Sequence, residues 1–172
     1  YTKEASDFVM EEYKKLGYEP IQTVKGGVLV ELPGKNDKNA VLLEAHIDTL
    51  GAMIAEIKGN GCLKLSPLGG LNPNNVEAEN CTIITRFNGK YQGTFQLDNA
   101  SLHVNGEYNS IKRGYEGMEV VIDEKTSSKE ETEKLGIMVG DIVAFDPRTT
   151  VTKSGYIKSR FLDDKLSVGI LL

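Results

Sequence analysis

Two short clusters in this 172-residue chain combine side chains that could do chemistry together. The first is Glu44-Ala45-His46-Ile47-Asp48-Thr49-Leu50-Gly51. Alternate residues of an extended backbone share a face, so His46 and Asp48 project to the same side. Imidazole is the commonest biological metal ligand, and a carboxylate two residues on can ligate too or hold the ring in one orientation. A histidine satisfied within the structure is the plainer alternative for an isolated His-x-Asp. The second cluster is Ser159-Arg160-Phe161-Leu162-Asp163-Asp164-Lys165-Leu166-Ser167, where two adjacent carboxylates open an apolar helical pattern. Helix N-termini favour acidic residues, so N-capping accounts for one of them. It accounts less well for the pair, because neighbouring negative charges disfavour each other unless a cation intervenes.

The elements that must position these clusters are legible around them. Ala5, Phe8, Val9, Tyr13 and Leu16 recur at helical spacing, and Gly17 is placed to end that helix. Short β-like segments follow at 21–25 and 28–32, with a turn over 33–37. Residues 40–45 form a nearly unbroken apolar run that suits a strand buried on both faces, and open α/β sheets place ligand sites at strand C-termini. From about Met53 to Tyr156 the texture changes to short, alternating, closely punctuated segments. Strands are expected at 54–58, 62–65, 81–87, 91–96, 118–122 and 140–145, with Asn88-Gly89 as a hairpin dipeptide whose residues both tolerate positive φ. Ser128-Lys129-Glu130-Glu131 reads as a capping box opening a short helix to Leu135. Glu130, Glu131 and Glu133 make a charged, solvated helix face. Helical periodicity returns after Asp163, with Leu166, Ile170 and Leu171 facing inward. The expected fold class is α/β, a helix-flanked sheet interrupted by a small, mostly β unit.

Composition narrows the function. Lys and Arg number 20 against 25 Asp and Glu, a net charge of −5, which has the wrong sign for a phosphate-binding surface; nucleic acid is not an expected partner. No run approaches the ~18 apolar residues of a membrane span, so no membrane partner is expected. Cys62 and Cys81 stand apart, with no second Cys or His at ligand spacing, and read as reduced, buried thiols of a cytoplasmic protein. The only other histidine, His103, lies in the β-rich block and reads as a structural or interface residue, with a reach into a neighbouring subunit's site as the alternative. The apolar pattern at Gly169-Ile170-Leu171-Leu172 carries no stop signal, which leads us to expect a longer protein of which this is the N-terminal part.

Together the clusters resemble the dinuclear metallo-aminopeptidases that include the TET peptidases, the glutamyl and deblocking aminopeptidases, and relatives labelled as cellulases. That family carries Ala-His-x-Asp-x-x-Gly after a buried strand and a hydrophobic-Asp-Asp-Arg/Lys motif farther on. Residues 45–51 and 161–165 match these in order, and the stretch 127–141 resembles the one preceding the second motif. Thr49 departs from the Glu of many relatives, and Lys165 from their Arg. The resemblance implies that residues 1–58 and 156–172 are parts of an incomplete catalytic domain. It makes residues 59–155 a β-barrel-like insert that drives homo-oligomerisation. It implies that His46 binds one metal ion and that the Asp48 carboxylate of the catalytic site holds its ring. Asp163 would bridge two ions, zinc or cobalt, and Asp164 would support the turn; the choice of Asp163 over Asp164 rests on the family pattern. A general base, the remaining ligands and most of the specificity pocket would lie beyond Leu172, leaving this piece inactive alone. The implied activity is release of N-terminal residues from peptides. A carboxypeptidase, an amide deacylase or a non-catalytic peptide binder carrying the same motifs are the alternatives.

Overall fold

The computed structural model describes residues 2–36 and 38–172. In chain order the elements are α1 (Lys3–Lys15), β1 (Ile21–Gln22), β2 (Val28–Leu29), β3 (Gly51–Ile57), β4 (Leu63–Leu68), a 3-10 turn (Pro73–Asn75), β5 (Glu79–Ile84), β6 (Lys90–Leu97), β7 (Met118–Ile122), α2 (Lys129–Lys134), β8 (Ile142–Phe145), β9 (Thr150–Val151), β10 (Ile157–Lys158) and α3 (Lys165–Leu171). Contacts divide the chain into two compact units, Tyr1–Thr49 with Phe161–Leu172, and Leu50–Arg160. The fold is mixed α/β with a closed six-stranded barrel, in keeping with the α/β class and barrel-like insert expected above.

In the first unit, α1 matches its dipole with Glu4 in the first turn and Lys14 and Lys15 in the last, and it buries Val9. Gly17 takes the left-handed conformation at φ 88, so the helix stops where the sequence places its stop. β1 and β2 form a short antiparallel hairpin closed by Thr23 N donating to the Gly27 carbonyl at 2.8 Å. Asp37, the last residue of the expected 33–37 turn, lies outside the described residues. The run 40–45 differs from the buried strand read in the sequence. It forms no strand, and Val41, Leu42 and Leu43 are exposed. A strand exists only by pairing, and among the described residues no neighbouring strand pairs with this run.

The second unit is built by pairing around a ring in the order β3-β4-β7-β6-β5-β8, all antiparallel. Closure is made by β3 against β8, with Ala52 opposite Val143 and Met53 opposite Ile142. Alternation drives each strand's orientation: Glu79, Cys81 and Ile83 of β5 face inward while their neighbours are less buried. Phe95 is fully buried at the centre, edge-on to Phe145 at 5.6 Å between ring centroids. β3 starts at Gly51, two residues ahead of the change of texture read at about Met53. A Cβ at Gly51 would stand 3.2 Å from the Val143 carbonyl, so this glycine lets β8 come close. At the β5–β6 connection Gly89 alone takes positive φ, and Thr85 N donates to the Gly89 carbonyl at 3.0 Å; Asn88 instead donates its side-chain amide to the Leu135 carbonyl. Ser128 caps α2 by accepting from Glu131 N, while the Glu131 carboxylate reaches back to Ser127 N at 2.7 Å. These bonds from Ser127 hold the Glu131 carboxyl below its ordinary range.

Both cysteines are free, Cys81 buried and Cys62 half-buried. Burial pushes the Cys81 thiol up to about 12 and the Cys62 thiol up to about 11, so neither is a nucleophile at neutral pH. No helix among the described residues is long and apolar enough to cross a membrane.

A direct test of the strand pairing in the barrel is Gly93 in β6, where an added Cβ would meet the Val121 carbonyl oxygen at 2.7 Å and Val120 Cγ1 at 2.8 Å. Gly93→Ala is expected to lower the unfolding free energy by about 1–3 kcal/mol in urea denaturation, as overpacking does. Gly59→Ala, whose Cβ would meet nothing within 4 Å, should cost much less. Equal costs at the two positions would remove the close-approach argument.

Candidate metal centre

His46 and Asp48 lie on an extended segment without regular structure, and Asp163 and Asp164 lie in the turn into α3; all four belong to the first unit. The turn is set by Phe161 at φ 58, with Lys165 Nζ 5.9 Å from the centroid of its ring, and the Asp163–Asp164 peptide is cis. α3 then begins, with Leu166 N donating to the Leu162 carbonyl at 3.0 Å.

The turn brings His46 and Asp163, distant in sequence, to one place. His46 Nδ1 stands 3.2 Å from Asp48 Oδ1, and Nε2 stands 3.3 Å from Asp163 Oδ1. A ring that donates its Nδ1 hydrogen to Asp48 carries its lone pair on Nε2, facing a carboxylate oxygen. Two lone pairs at that separation repel unless a proton or a cation lies between them. The proton alternative is visible in the electrostatics. Partial desolvation pulls the His46 imidazole down, but the Asp48 and Asp163 carboxylates, with Asp164 behind them, outweigh it and hold its pKa above the ordinary value.

The donor set also fits a divalent ion. Two ligands of a tetrahedral zinc at ~2.0–2.1 Å stand about 3.3–3.4 Å apart, the spacing of Nε2 and Oδ1 here. Nitrogen and carboxylate donors suit zinc or cobalt, and the Nδ1–carboxylate contact is the usual second partner of a ligating imidazole. Two ligands do not complete a site, and among the described residues no group of three or more His, Cys, Asp or Glu could hold an ion. A cleft of about 290 Å³ lined by Glu44, Ala45, His46 and Asp164 adjoins the pair. A larger cavity of about 1040 Å³, lined among others by Val9, Tyr13, Leu42, Val168 and Leu171, is mostly apolar and holds neither His46 nor Asp163. Of the two, only the small cleft is lined by His46.

N-capping explains neither aspartate. Asp164 occupies the N-cap position of α3 without a side-chain cap hydrogen bond, and Asp163 points to His46. His103 sits on an exposed stretch of the barrel unit, far in sequence from His46 and Asp163 and in the other unit. Sequence reasoning missed the β9–β10 hairpin that precedes the second cluster. Ser154-Gly155 was its signal, and Gly155 does take positive φ at the turn.

With this geometry in place, comparison with known proteins gives a consistent answer. The M42 glutamyl aminopeptidase family profile matches residues 26–172. The Bacillus subtilis (strain 168) protein YhfE is 43% identical over 171 residues, covering 99% of this chain and 49% of that protein. The lysyl aminopeptidase of Pyrococcus furiosus is 26% identical over 160 residues, covering 93% of this chain and 45% of the relative. Among solved structures, the aminopeptidase APDkam598 of the archaeon Desulfurococcus kamchatkensis superposes with a TM-score of 0.83 at 27% identity, over 99% of this chain and 45% of that one. The chain belongs to the M42 glutamyl aminopeptidase family. It spans about half the length of the curated relatives it matches.

The raised imidazole offers a direct check on the pairing. In metal-free protein the His46 ring is expected to keep its proton to a higher pH than an isolated histidine. Asp48→Asn should bring the NMR titration midpoint of His46 down, and Asp163→Asn should bring it down by less. A midpoint that does not move in Asp48→Asn would show that the two side chains are not paired in solution.

Proposed function

We propose that the whole protein is an aminopeptidase that releases N-terminal residues from peptides with the help of two divalent ions, zinc or cobalt. The observation that carries this is the convergence of His46 Nε2 and Asp163 Oδ1 at ligand–ligand spacing in a chain of the M42 glutamyl aminopeptidase family. His46 would hold one ion through Nε2, and Asp48 keeps the ring in the tautomer that leaves this lone pair free. Asp163 would hold both ions, its negative charge offsetting the repulsion between them, and Asp164 would support the turn. Bound there, the ions supply Lewis-acid polarisation of the scissile carbonyl and lower the pKa of a water.

A tight zinc site needs about three or four protein ligands. The two here make the isolated chain inactive on this reading, with the general base and remaining ligands carried by the rest of the protein. The proposed homo-oligomer forms through the barrel. Supporting this, exposed Phe87, Met138 and Val139 stand together at one barrel end, where Arg86 N and Met138 N both donate to the Asp141 carboxylate. The composition and the two free cysteines suit the cytoplasm as the proposed location.

The whole protein should lose hydrolysis of aminoacyl anilides when stripped by chelator, regain it with zinc or cobalt, and leave amino-blocked substrates untouched. Asp48→Ala, which disturbs the orientation of a ligand, should cost ~10–100-fold in activity. Asp163→Ala should cost well beyond that. Full activity after exhaustive dialysis against chelator would end this reading, and a worse loss in Asp164→Ala than in Asp163→Ala would reverse the assignment within the pair.

A further inference from the structure

The cleft beside the candidate metal centre has a sign. It is lined by Glu44, Ala45, His46 and Asp164, so two carboxylates border it and no lysine or arginine does. Lys165, the next residue along the chain, is directed elsewhere, with its Nζ 5.9 Å from the centroid of the Phe161 ring. All of these residues belong to the first unit.

Three of the carboxylates around His46 are accounted for. Asp48 meets Nδ1, Asp163 meets Nε2, and Asp164 occupies the N-cap position of α3. Glu44 does none of these. Exposure alternates along its segment, with Glu44, His46 and Asp48 exposed and Ala45 and Ile47 half-buried, so Glu44 shares the face that carries His46. It does not join the ligands, because among the described residues no group of three or more His, Cys, Asp or Glu could hold an ion. A carboxylate on the ligand face but outside the ligand set is free to meet what lies next to the ion. Two residues of extended chain span roughly 7 Å. A substrate's α-nitrogen is two bonds from its scissile carbonyl carbon and stays near the ion, whereas the ammonium of a first-residue lysine is six bonds out. Glu44 stands at the range of a long side chain.

We propose that Glu44 sets a preference among first residues: it favours peptides that begin with a cationic side chain, lysine or arginine, and disfavours those that begin with glutamate or aspartate. This rests on the metal-centre reading given above. A merely solvated surface carboxylate would leave the enzyme indifferent to the charge of the first residue; a carboxylate at the substrate side chain does not.

The experiment uses the whole protein, loaded with cobalt, as wild type, Glu44→Gln, Glu44→Lys and Asp163→Ala. Hydrolysis of lysyl, leucyl and glutamyl anilides gives kcat/KM for each. Free lysine, leucine and glutamate are also titrated in while the visible absorption of cobalt is followed. Wild type should favour the lysyl over the glutamyl anilide by about 10-fold or more, and bind lysine over glutamate by a similar factor, since a like charge in the cleft is rejected. Glu44→Gln should lower both ratios by about 3–10-fold and Glu44→Lys should invert them, with leucine little changed. The wild-type ratios should shrink as salt rises, because these charges can be screened. Glu44→Gln should bind cobalt within about 5-fold of wild type, as expected for loss of an exposed charge that is not a ligand. Wild-type ratios in both Glu44 variants would overturn the proposal. So would an equal loss on all three substrates, which would put Glu44 on the α-ammonium, or loss of cobalt in Glu44→Gln, which would make it a ligand. Asp163→Ala separates the two ideas. If it loses cobalt while the Glu44 variants keep the wild-type ratios, only the preference fails; if it binds cobalt as wild type does, the metal-centre reading fails and takes the preference with it.

Discussion

The pairing of β3 with β8 is the constraint on which the arrangement of this chain depends. Ala52 opposite Val143 and Met53 opposite Ile142 close the ring, so no strand edge of the barrel is left open. The same register sets the start of β3 beside the end of β8. The chain therefore comes into the barrel at Leu50 and finishes β8 at Phe145 on the same side. Pro147 then receives Arg160 N when the β9–β10 hairpin returns. More than a hundred residues are thereby folded away between two points that stay close. The residues just before the first point include His46 and Asp48, and those just after the second include Asp163. Gly51, in the first motif, is part of this closure rather than of the chemistry, because a side chain there would press on the Val143 carbonyl.

The two units stand in different energetic positions. The barrel buries Ile54, Leu63, Ile83, Phe95, Val120 and Val143 completely, and its backbone groups are paired around the ring. The first unit leaves Val41, Leu42, Leu43, Leu166 and Ile170 exposed. Each large apolar side chain left in water forgoes roughly 1.5–3 kcal/mol, so several together approach the stability of a small domain. Contacts within the unit, such as Tyr13 Oη donating to the Leu171 carbonyl at 3.0 Å, are few and part-buried. The barrel covers its own core, while the first unit leaves large apolar side chains in water.

What could be read in the sequence follows the range of the interactions involved. Local signals were sufficient where the cause is local: Gly17 ends α1, Ser128 with Glu131 opens α2, and Asn88-Gly89 marks the β5–β6 turn, although only Gly89 takes positive φ there. The alternating segments of the middle block do form strands, displaced by a few residues at their ends. The run 40–45 misled because an unbroken apolar stretch reports a need for burial on both faces, not the presence of partner strands. Ring order and the inclusion of Gly51–Ile57 in the barrel depend on pairings such as Ala52 with Val143, which no local pattern encodes. The burial of Glu79 was invisible for the same reason. A glutamate at a strand start resembles any solvated residue until Arg148 and Arg160 arrive beside it.

The candidate metal centre is itself too exposed to hold its own geometry. The Asp48 and Asp163 side chains are 86% and 94% exposed, and the imidazole between them is about half exposed. Ion pairs in such surroundings contribute ~0–1 kcal/mol, less than the rotamer freedom they must overcome. The approach of His46 to Asp163 is therefore a result of backbone placement and not its cause. Catalytic or ligating groups need placement to about 0.5 Å, which mobile surface side chains do not achieve unaided. Within the first unit that support begins with Asp48, whose Oδ1 stands 3.2 Å from Nδ1 of His46 and restrains the ring, so that one face of the imidazole is directed before any partner meets Nε2.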